Sequence, residues 1–482
     1  MVSADIAVFM VMRAVHMTGM IVGIVLLLSL GAAWLARVRS RHMSVETLLV
    51  ADRALPAPML FILTVGEIYS IGSIVAFPAG LYAHGVSYGY WFLGYLLLAF
   101  PVGYFVGPAI WRRAKQYDAC TLPEVFGRHF GSIAFERLTA WACVIALVPW
   151  GQFQFIGLRS VLDTMGFSAA PAAGLAGCAV IAFAYVSLGG MRASTYVAFL
   201  KDVLMLFGIA AVGVGAICVQ YKLSAGHAVI TTPTFPLPTG SSLVFAISTI
   251  IYQGVGFYFQ PSVTPYLFTA RSAQAVRRAM VFMPLYMVMY PFAVFATVFA
   301  LRFLPSLPNP NAVFFHVAAT LLPPWIVALA AAGALLAGLL VLAATSLNIA
   351  AMMTRNIAPG LGRRHPKRAI NLAVILFLVL ALVATAHAPA IMLTALNLSG
   401  YVGIQFASLW FLILTGWPVS ARIAGLGLFS GAGVAIALFA SGVSIGGINP
   451  GLIGFLVNCG IVFCPLWRSR SDVRVHNKKD LL

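Results

Sequence analysis

The chain has 482 residues, 62% of them hydrophobic and 8% charged, with a mean hydropathy of +0.99. A soluble domain cannot hide that much apolar surface, because its own surface grows too fast with its mass, so a soluble all-α enzyme is excluded. The formal net charge of +18 would suggest nucleic acid in a soluble protein, and the placement of the charges shows why it does not here.

Apolar runs recur along the whole chain, each long enough to cross a hydrocarbon core of roughly 30 Å. They predict an all-α polytopic membrane protein of about 13 transmembrane helices. The spans fall near residues 16–36, 56–82, 88–110, 136–158, 168–188, 195–219, 241–261, 279–302, 323–350, 369–386, 391–415, 423–441 and 449–467. The first span follows MVSADIAVFMVMRAVHMTGM, which has an early acid, Arg13 in mid-run and no A-x-A cleavage site. It reads as a retained helix rather than a signal peptide.

With the N-terminus outside, alternate loops collect RVRSRH (37–42), WRRAK (111–115), GMRAS (190–194), ARSAQAVRR (270–278), TRN with GRRHPKR (354–368) and the tail RSRSDVRVHNKK (468–479). Of the 29 Lys and Arg, all but Arg13, Arg159, Lys201, Lys222 and Arg302 fall on that one side of the membrane. This asymmetry predicts a multi-pass protein of the cytoplasmic (inner) membrane, N-terminus outside and C-terminus cytoplasmic. The basic balance then reports topology and contact with the anionic lipid of the bilayer, not nucleic acid.

Cys120, Cys143, Cys178, Cys218, Cys459 and Cys464 form no CxxC pair and mostly lie within spans, which argues for free packed thiols rather than disulfides or a metal site. The gaps between spans are too short to fold alone. The longest, 220–240 and 303–322, are proline-rich, and the polar tail 468–482 offers no signalling domain. No GxxxxGK[ST] occurs, which disfavours ATP-driven pumping and leaves gradient-driven transport, a channel or a receptor. A channel would show a continuous polar stripe, which the spans lack. An intramembrane enzyme would need HExxH, GxSxG or a similar constellation, and the nine histidines are scattered.

Two spans carry helix breakers. The second, with TVGEIYSIGSIVAFPAG at 64–80, contains Gly66, Gly72 and Pro78; the seventh, SSLVFAISTIIYQGVGFYFQP, contains Gly254, Gly256 and Pro261. The two starting points, 56 and 241, are five spans apart, and an odd offset places the helices in opposite orientations. Broken helices in matching positions predict two inverted five-helix repeats, over 56–219 and 241–415, with a binding site near the midplane between them. The helix at 16–36 precedes the repeats and the two helices within 423–467 follow them. Glycines that only permit close helix packing are the plainer alternative.

QYDACTLPEVFGRHFGS (116–132) resembles the cytoplasmic loop of the solute:sodium symporter family, where a Thr-Leu-Pro-Glu turn precedes a short helix ending in Arg-Phe. AYVSLGGMRASTYVAFLKDVLML (184–206) is similar to that family's Gly-Gly-Met/Leu-Arg-Ala segment between the fifth and sixth spans. YFQPSVTPYLFTARSAQAVRRAMVFMPLY (258–286) and TRNI (354–357) resemble the branch that carries monocarboxylates. That branch also has Lys-Asp in the sixth span. The resemblance runs from about residue 50 to 360. It implies a leucine-transporter fold of thirteen helices with the inverted repeats over spans two to eleven. It also implies uptake of a small-molecule solute coupled to a cation gradient, with Na+ or H+ as the coupling ion and no other cofactor.

One departure concerns sodium. The family's Ala-Ala-x-Met-Ser-Thr run, whose hydroxyls help hold sodium, lies about 14 residues before its Thr-Arg-Asp/Asn. The same count back from Thr354 lands on Leu340 in GLLVLA, which has no hydroxyl. Thr345 and Ser346 are the nearest candidates. With carbonyls of the unwound helix at Gly66 they would give the oxygen ligands that sodium wants. Small-residue packing in AATSLNIAA is the other reading.

Glu67 is a carboxyl in the middle of a span, and such a group almost always faces protein or water and does a job. It would neutralise sodium, carry a coupling proton, or pair with a fixed cation such as Lys201; Lys201 and Asp202 would equally satisfy one another. For the solute, Tyr69 and Ser70 on the second span, Trp150 and Gln152 on the fourth, and Tyr252, Gln253 and Phe257 on the seventh supply the hydroxyl, amide and aromatic groups that hold a monocarboxylate. An interfacial belt position is the alternative for Trp150 and the tyrosines. An amino acid or other solute with proton coupling, or a transporter-like receptor, remain the alternative functions.

Overall fold

A computed structural model describes residues 2–39, 49–167, 170–225, 237–304, 306–360, 365–387 and 392–479. The remaining residues, which include parts of the basic loops 37–42 and 362–368, part of the loop 220–240 and the end of the tail, lie outside the described residues.

Helix α1 covers Val2–Arg39. The second span is in two pieces, α2 (Ala57–Ile68) and, after one wide turn at Gly72–Ala76, α3 (Phe77–His84), bent by 47°. Helices α4 (Val86–Gln116) and α6 (Ile133–Thr164) flank the short α5 (Leu122–Phe130). Helix α7 (Pro171–Ala225) holds two spans, Pro171–Leu188 and Ser194–Lys222. They divide at Gly190, whose φ of 56° and ψ of −142° suit a residue without Cβ. Helix α8 (Gly240–Gly256) tightens at Phe257–Phe259, ends at the extended Gln260, and is followed by α9 (Thr264–Phe268). Both glycine-marked spans therefore lose their helix where the breakers stand, the seventh at its end rather than its middle.

Helices α10 (Ala273–Phe282) and α11 (Met289–Phe303) make one span, and α12 (Val313–Leu321) lies in the connection after it. Then come α13 (Pro324–Met352), α14 (Pro366–His387), α15 (Met392–Gly403) with α16 (Phe406–Thr415), α17 (Ala421–Ser441) and α18 (Pro450–Lys479). Among the described residues, eleven helices are long and apolar enough to cross a membrane and the bent pair makes a twelfth. The expected thirteenth span holds a shorter apolar helix among the described residues, Pro450–Cys464, within α18.

The ninth span is the central post. It is 83% buried over its most apolar window, against 22% for the first span at the rim. Its Ala and Gly residues let α6, α7 and α14 close around it, the packing that small residues permit between membrane helices. Large apolar side chains such as Leu27, Phe105, Val180, Phe199 and Leu372 point outward, where lipid replaces water as solvent.

Two of the quoted loop motifs meet in space. Thr121 caps α5 by accepting from the Glu124 N–H (3.4 Å), and the Cys120 N–H donates to Glu124 Oε2 (2.8 Å). Glu124 Oε1 in turn accepts from Arg355 Nε at 2.6 Å. Thr121 Oγ1 donates to Asn356 Oδ1 (3.0 Å) and Asn356 Nδ2 to Glu136 Oε1 (2.7 Å). TLPE at 121–124 and TRN at 354–356 are thus the two halves of one clamp between α5, α6 and the end of the ninth span. Asn356 is buried and bridges a hydroxyl and a carboxylate, so Asn356→Ala should lower stability by about 1.5–3 kcal/mol. Thermal melting in detergent against the unaltered protein reads this directly.

Candidate functional site

The break follows from what a helix end leaves unpaired. Tyr69 leaves helical geometry at φ −96° and ψ 66°. Ser70 then holds the turn: its Oγ accepts from the Gly72 N–H (3.2 Å) and its carbonyl from the Ser73 N–H (3.0 Å). The last carbonyls of α2 have no helical partner, and at membrane depth no water replaces one.

Lys201 on α7 fills the gap. Its Nζ donates to the carbonyls of Tyr69 (3.1 Å) and Gly66 (3.4 Å) and pairs with Asp202 Oδ1 at 2.5 Å. The side chain is wholly buried. Asp202 is also met by the hydroxyl of Tyr286 (3.2 Å), whose ring packs on that of Tyr69 at 4.6 Å. A Cβ on Gly66 would stand 3.2 Å from Ala198 Cβ, 3.4 Å from Leu340 Cδ2 and 4.0 Å from Lys201 Nζ. Leu340 of α13 thus stands beside Gly66, and Gly338 beside Ile71.

On the other side of the break, Glu67 opens onto a cavity between the two broken spans. Trp150, Tyr95 and Phe257 form its aromatic walls, and Gln253, Gln260, Ser262 and Ser399 bring amides and hydroxyls. The space open to the centres of water-sized spheres is ≈ 50 Å³, room for roughly three to five waters or one small solute. Glu67 is buried; the Tyr266 hydroxyl is directed at its carboxyl, while its Oε1 has no hydrogen-bond partner. Among the described residues no lysine or arginine lines the cavity.

The cavity brings together four of the sequence candidates, Glu67, Trp150, Gln253 and Phe257. Trp150 lies there with its ring stacked on Phe153 at 5.2 Å. Four others stand outside its wall. Tyr69 points its hydroxyl at the Met283 carbonyl (3.2 Å), Ser70 holds the turn, and Gln152 Nε2 donates to the Ala384 carbonyl (3.3 Å). Tyr252 OH accepts from Gln253 Nε2 (3.0 Å) and packs in a small cluster with Tyr401. Tyr95, Gln260, Ser262 and Ser399 were not singled out by sequence. Gln260 and Ser262 flank Pro261 at the marked break, a signal that was present; Tyr95 and Ser399 lie on helices outside the two matched spans.

Of the candidate sodium ligands, Thr345 and Ser346 sit five and six residues beyond Leu340 on α13, roughly 8–9 Å along the axis. Ser346 Oγ donates to the Leu342 carbonyl of its own helix at 2.5 Å. Among the described residues no hydrogen bond links either hydroxyl to the break.

The profile described as "Sodium:solute symporter family" matches residues 48–415. The chain belongs to the sodium:solute symporter family. Among its relatives, an uncharacterized symporter YhjB of Bacillus subtilis is 24% identical over 86% of this chain and 87% of its own length. A monocarboxylate transport permease protein of Rhizobium johnstonii is 25% identical, over 60% of each chain. The sodium/pantothenate symporter of Escherichia coli is 23% identical over 78% of this chain and 80% of its own. The fold is that of a Na+-coupled sialic acid symporter solved in a substrate-bound outward-open state, with a TM-score of 0.72 and 14% identity over 92% of this chain and 97% of that one. This is therefore a multi-pass membrane transporter of the solute symporter class, all-helical, with a small-molecule substrate.

The family implies sodium, and the donors at the break do not fit it. Both freed carbonyls are bonded to an ammonium, and the α13 side chain beside Gly66 is a hydrocarbon. The Lys201–Asp202 pair is buried, so Lys201→Ala should cost about 3–5 kcal/mol by leaving a carboxylate without its partner. Replacing both members, Lys201→Met with Asp202→Leu, should recover part of that loss. Melting of the single and double variants measures the pair.

Proposed function

We propose that this protein is a cation-coupled symporter that imports a small organic monocarboxylate across the cytoplasmic membrane, N-terminus outside, with the cavity at Glu67 as the solute site. The observation that carries this reading is a buried carboxyl with an unpartnered oxygen, lining a small space with neutral donors between two broken spans. Amides and hydroxyls of Gln253, Gln260, Ser262 and Ser399 can hold a carboxylate without a basic residue, and aromatic walls suit its short apolar body. The printed name of the Rhizobium relative supports the substrate class.

The same geometry gives coupling a physical basis. Two carboxylates about 4 Å apart at an effective dielectric of about 20 repel by about 4 kcal/mol, roughly a thousandfold in affinity. A cation that neutralises Glu67 removes that penalty, so solute and cation bind better together than apart, as reciprocal linkage requires.

A second reading is favoured by the cavity having, among the described residues, a carboxyl and no basic residue: a solute with its own ammonium, such as an amino acid, would pair with Glu67 directly. A panel of labelled monocarboxylates and amino acids in proteoliposomes, with sodium and pH gradients imposed independently, separates the two. It also separates a transporter, which concentrates its solute, from a receptor, which only binds. Glu67→Gln keeps shape and hydrogen bonding while removing the charge. It should leave the protein folded, abolish gradient-driven accumulation and spare solute exchange, which needs no net ion movement. A Glu67→Gln variant that still concentrates solute against its gradient contradicts the assignment.

A further inference from the structure

We propose that Lys201 is a built-in cation: its ammonium takes the position at the break of the second span where an ion from solution would be held, so that this chain transports without sodium. In its transport arm the inference rests on the symport reading above; in its binding arm it does not.

The valence of the ammonium is fully used. It has three N–H donors, and three oxygens meet it: the carbonyls of Gly66 and Tyr69 and the carboxylate of Asp202, at 3.4, 3.1 and 2.5 Å. Two of these belong to the C-terminal end of α2, where the helix dipole and the unpaired carbonyls attract positive charge. A hard cation such as sodium seeks the same oxygens. A second cation within about 4 Å of the ammonium would be repelled, at an effective dielectric of about 20, by roughly a thousandfold in affinity.

The remaining neighbours agree. Asp202 faces the ammonium from its own helix, Glu67 acts on it from α2, and Tyr286 reaches it only through Asp202. From α13 the group beside Gly66 is Leu340, the position where counting back from Thr354 would place a family hydroxyl. One change supplies a tethered cation and the other withdraws an oxygen ligand for a free one. Each alone would be unremarkable; together, at one point in space, they describe a single replacement.

The test compares sodium chloride with choline chloride at equal ionic strength and pH. The full-length purified protein should melt at the same temperature in both salts. In vesicles, uptake of labelled acetate, lactate and pyruvate driven by an imposed pH gradient should be unchanged when choline replaces sodium. A melting temperature or an uptake rate that rises saturably with sodium overturns the proposal. The converse variant, Lys201→Ala with Leu340→Ser, frees the two carbonyls and Asp202 and adds a hydroxyl. Its melting temperature should climb with sodium and not with choline, by linkage, and a folded variant indifferent to sodium also counts against the proposal. Where that variant does not fold, the salt comparison on the unaltered protein decides alone. Salt-indifferent melting with no accumulation of any tested solute under any gradient would leave Lys201 assigned and overturn the symport reading instead.

Discussion

A helix that stops at membrane depth leaves carbonyl oxygens that neither water nor lipid can satisfy. At the end of α2 the structure meets that constraint with one lysine, and much of the surrounding architecture serves that lysine. Lys201 reaches the break because Gly66 lets α7 approach to the distance of Ala198. A buried ammonium needs a counter-charge, and Asp202 beside it in sequence provides one. That carboxylate is steadied by Tyr286, whose ring lies on Tyr69 at the first non-helical residue of the break. The chain of contacts closes on itself within a few side chains.

The geometry assigns opposite duties to two adjacent residues. The carbonyl of Gly66 accepts from Lys201 of α7, while the side chain of Glu67 lines the cavity. The 47° bend makes this possible, since a straight α2–α3 would keep the carbonyls inside its own ladder. The second broken span supplies the other wall, through Gln253, Phe257 and Gln260 at the place where α8 loosens and ends. The segment before α2 is fastened to the one after α9 by backbone pairing, from the Leu55 N–H to the Thr269 carbonyl and from the Arg271 N–H to the Leu55 carbonyl.

The loop motifs do a different job from the one that quoting them suggests. Thr121, Glu124, Arg355 and Asn356 are not among the described residues that line the cavity; they lock α5 against the end of the ninth span. That span is the most enclosed helix of the molecule and carries Leu340 at the break. Holding its end therefore also holds the wall of the ion position.

Hydrophobic run lengths alone determined that the chain is a polytopic helical membrane protein, because a bilayer sets the length of its spans and penalises charge inside them. Glycine and proline marked where the second and seventh spans break, since these residues act through their own backbone and need no neighbour. Glu67 was legible for the same reason, as a carboxyl in lipid is costly wherever it points. What only the tertiary structure decided is direction and partnership. Tyr69, Ser70, Gln152 and Tyr252 have the chemistry of a solute site, yet they turn to other partners, while Tyr95 and Ser399 come to the cavity from helices outside the two matched spans. Lys201 and Asp202 read in sequence as a pair that satisfies itself. An ammonium has a third donor and an ion pair has a place, and both depend on which helix lies alongside, which no run of adjacent residues encodes.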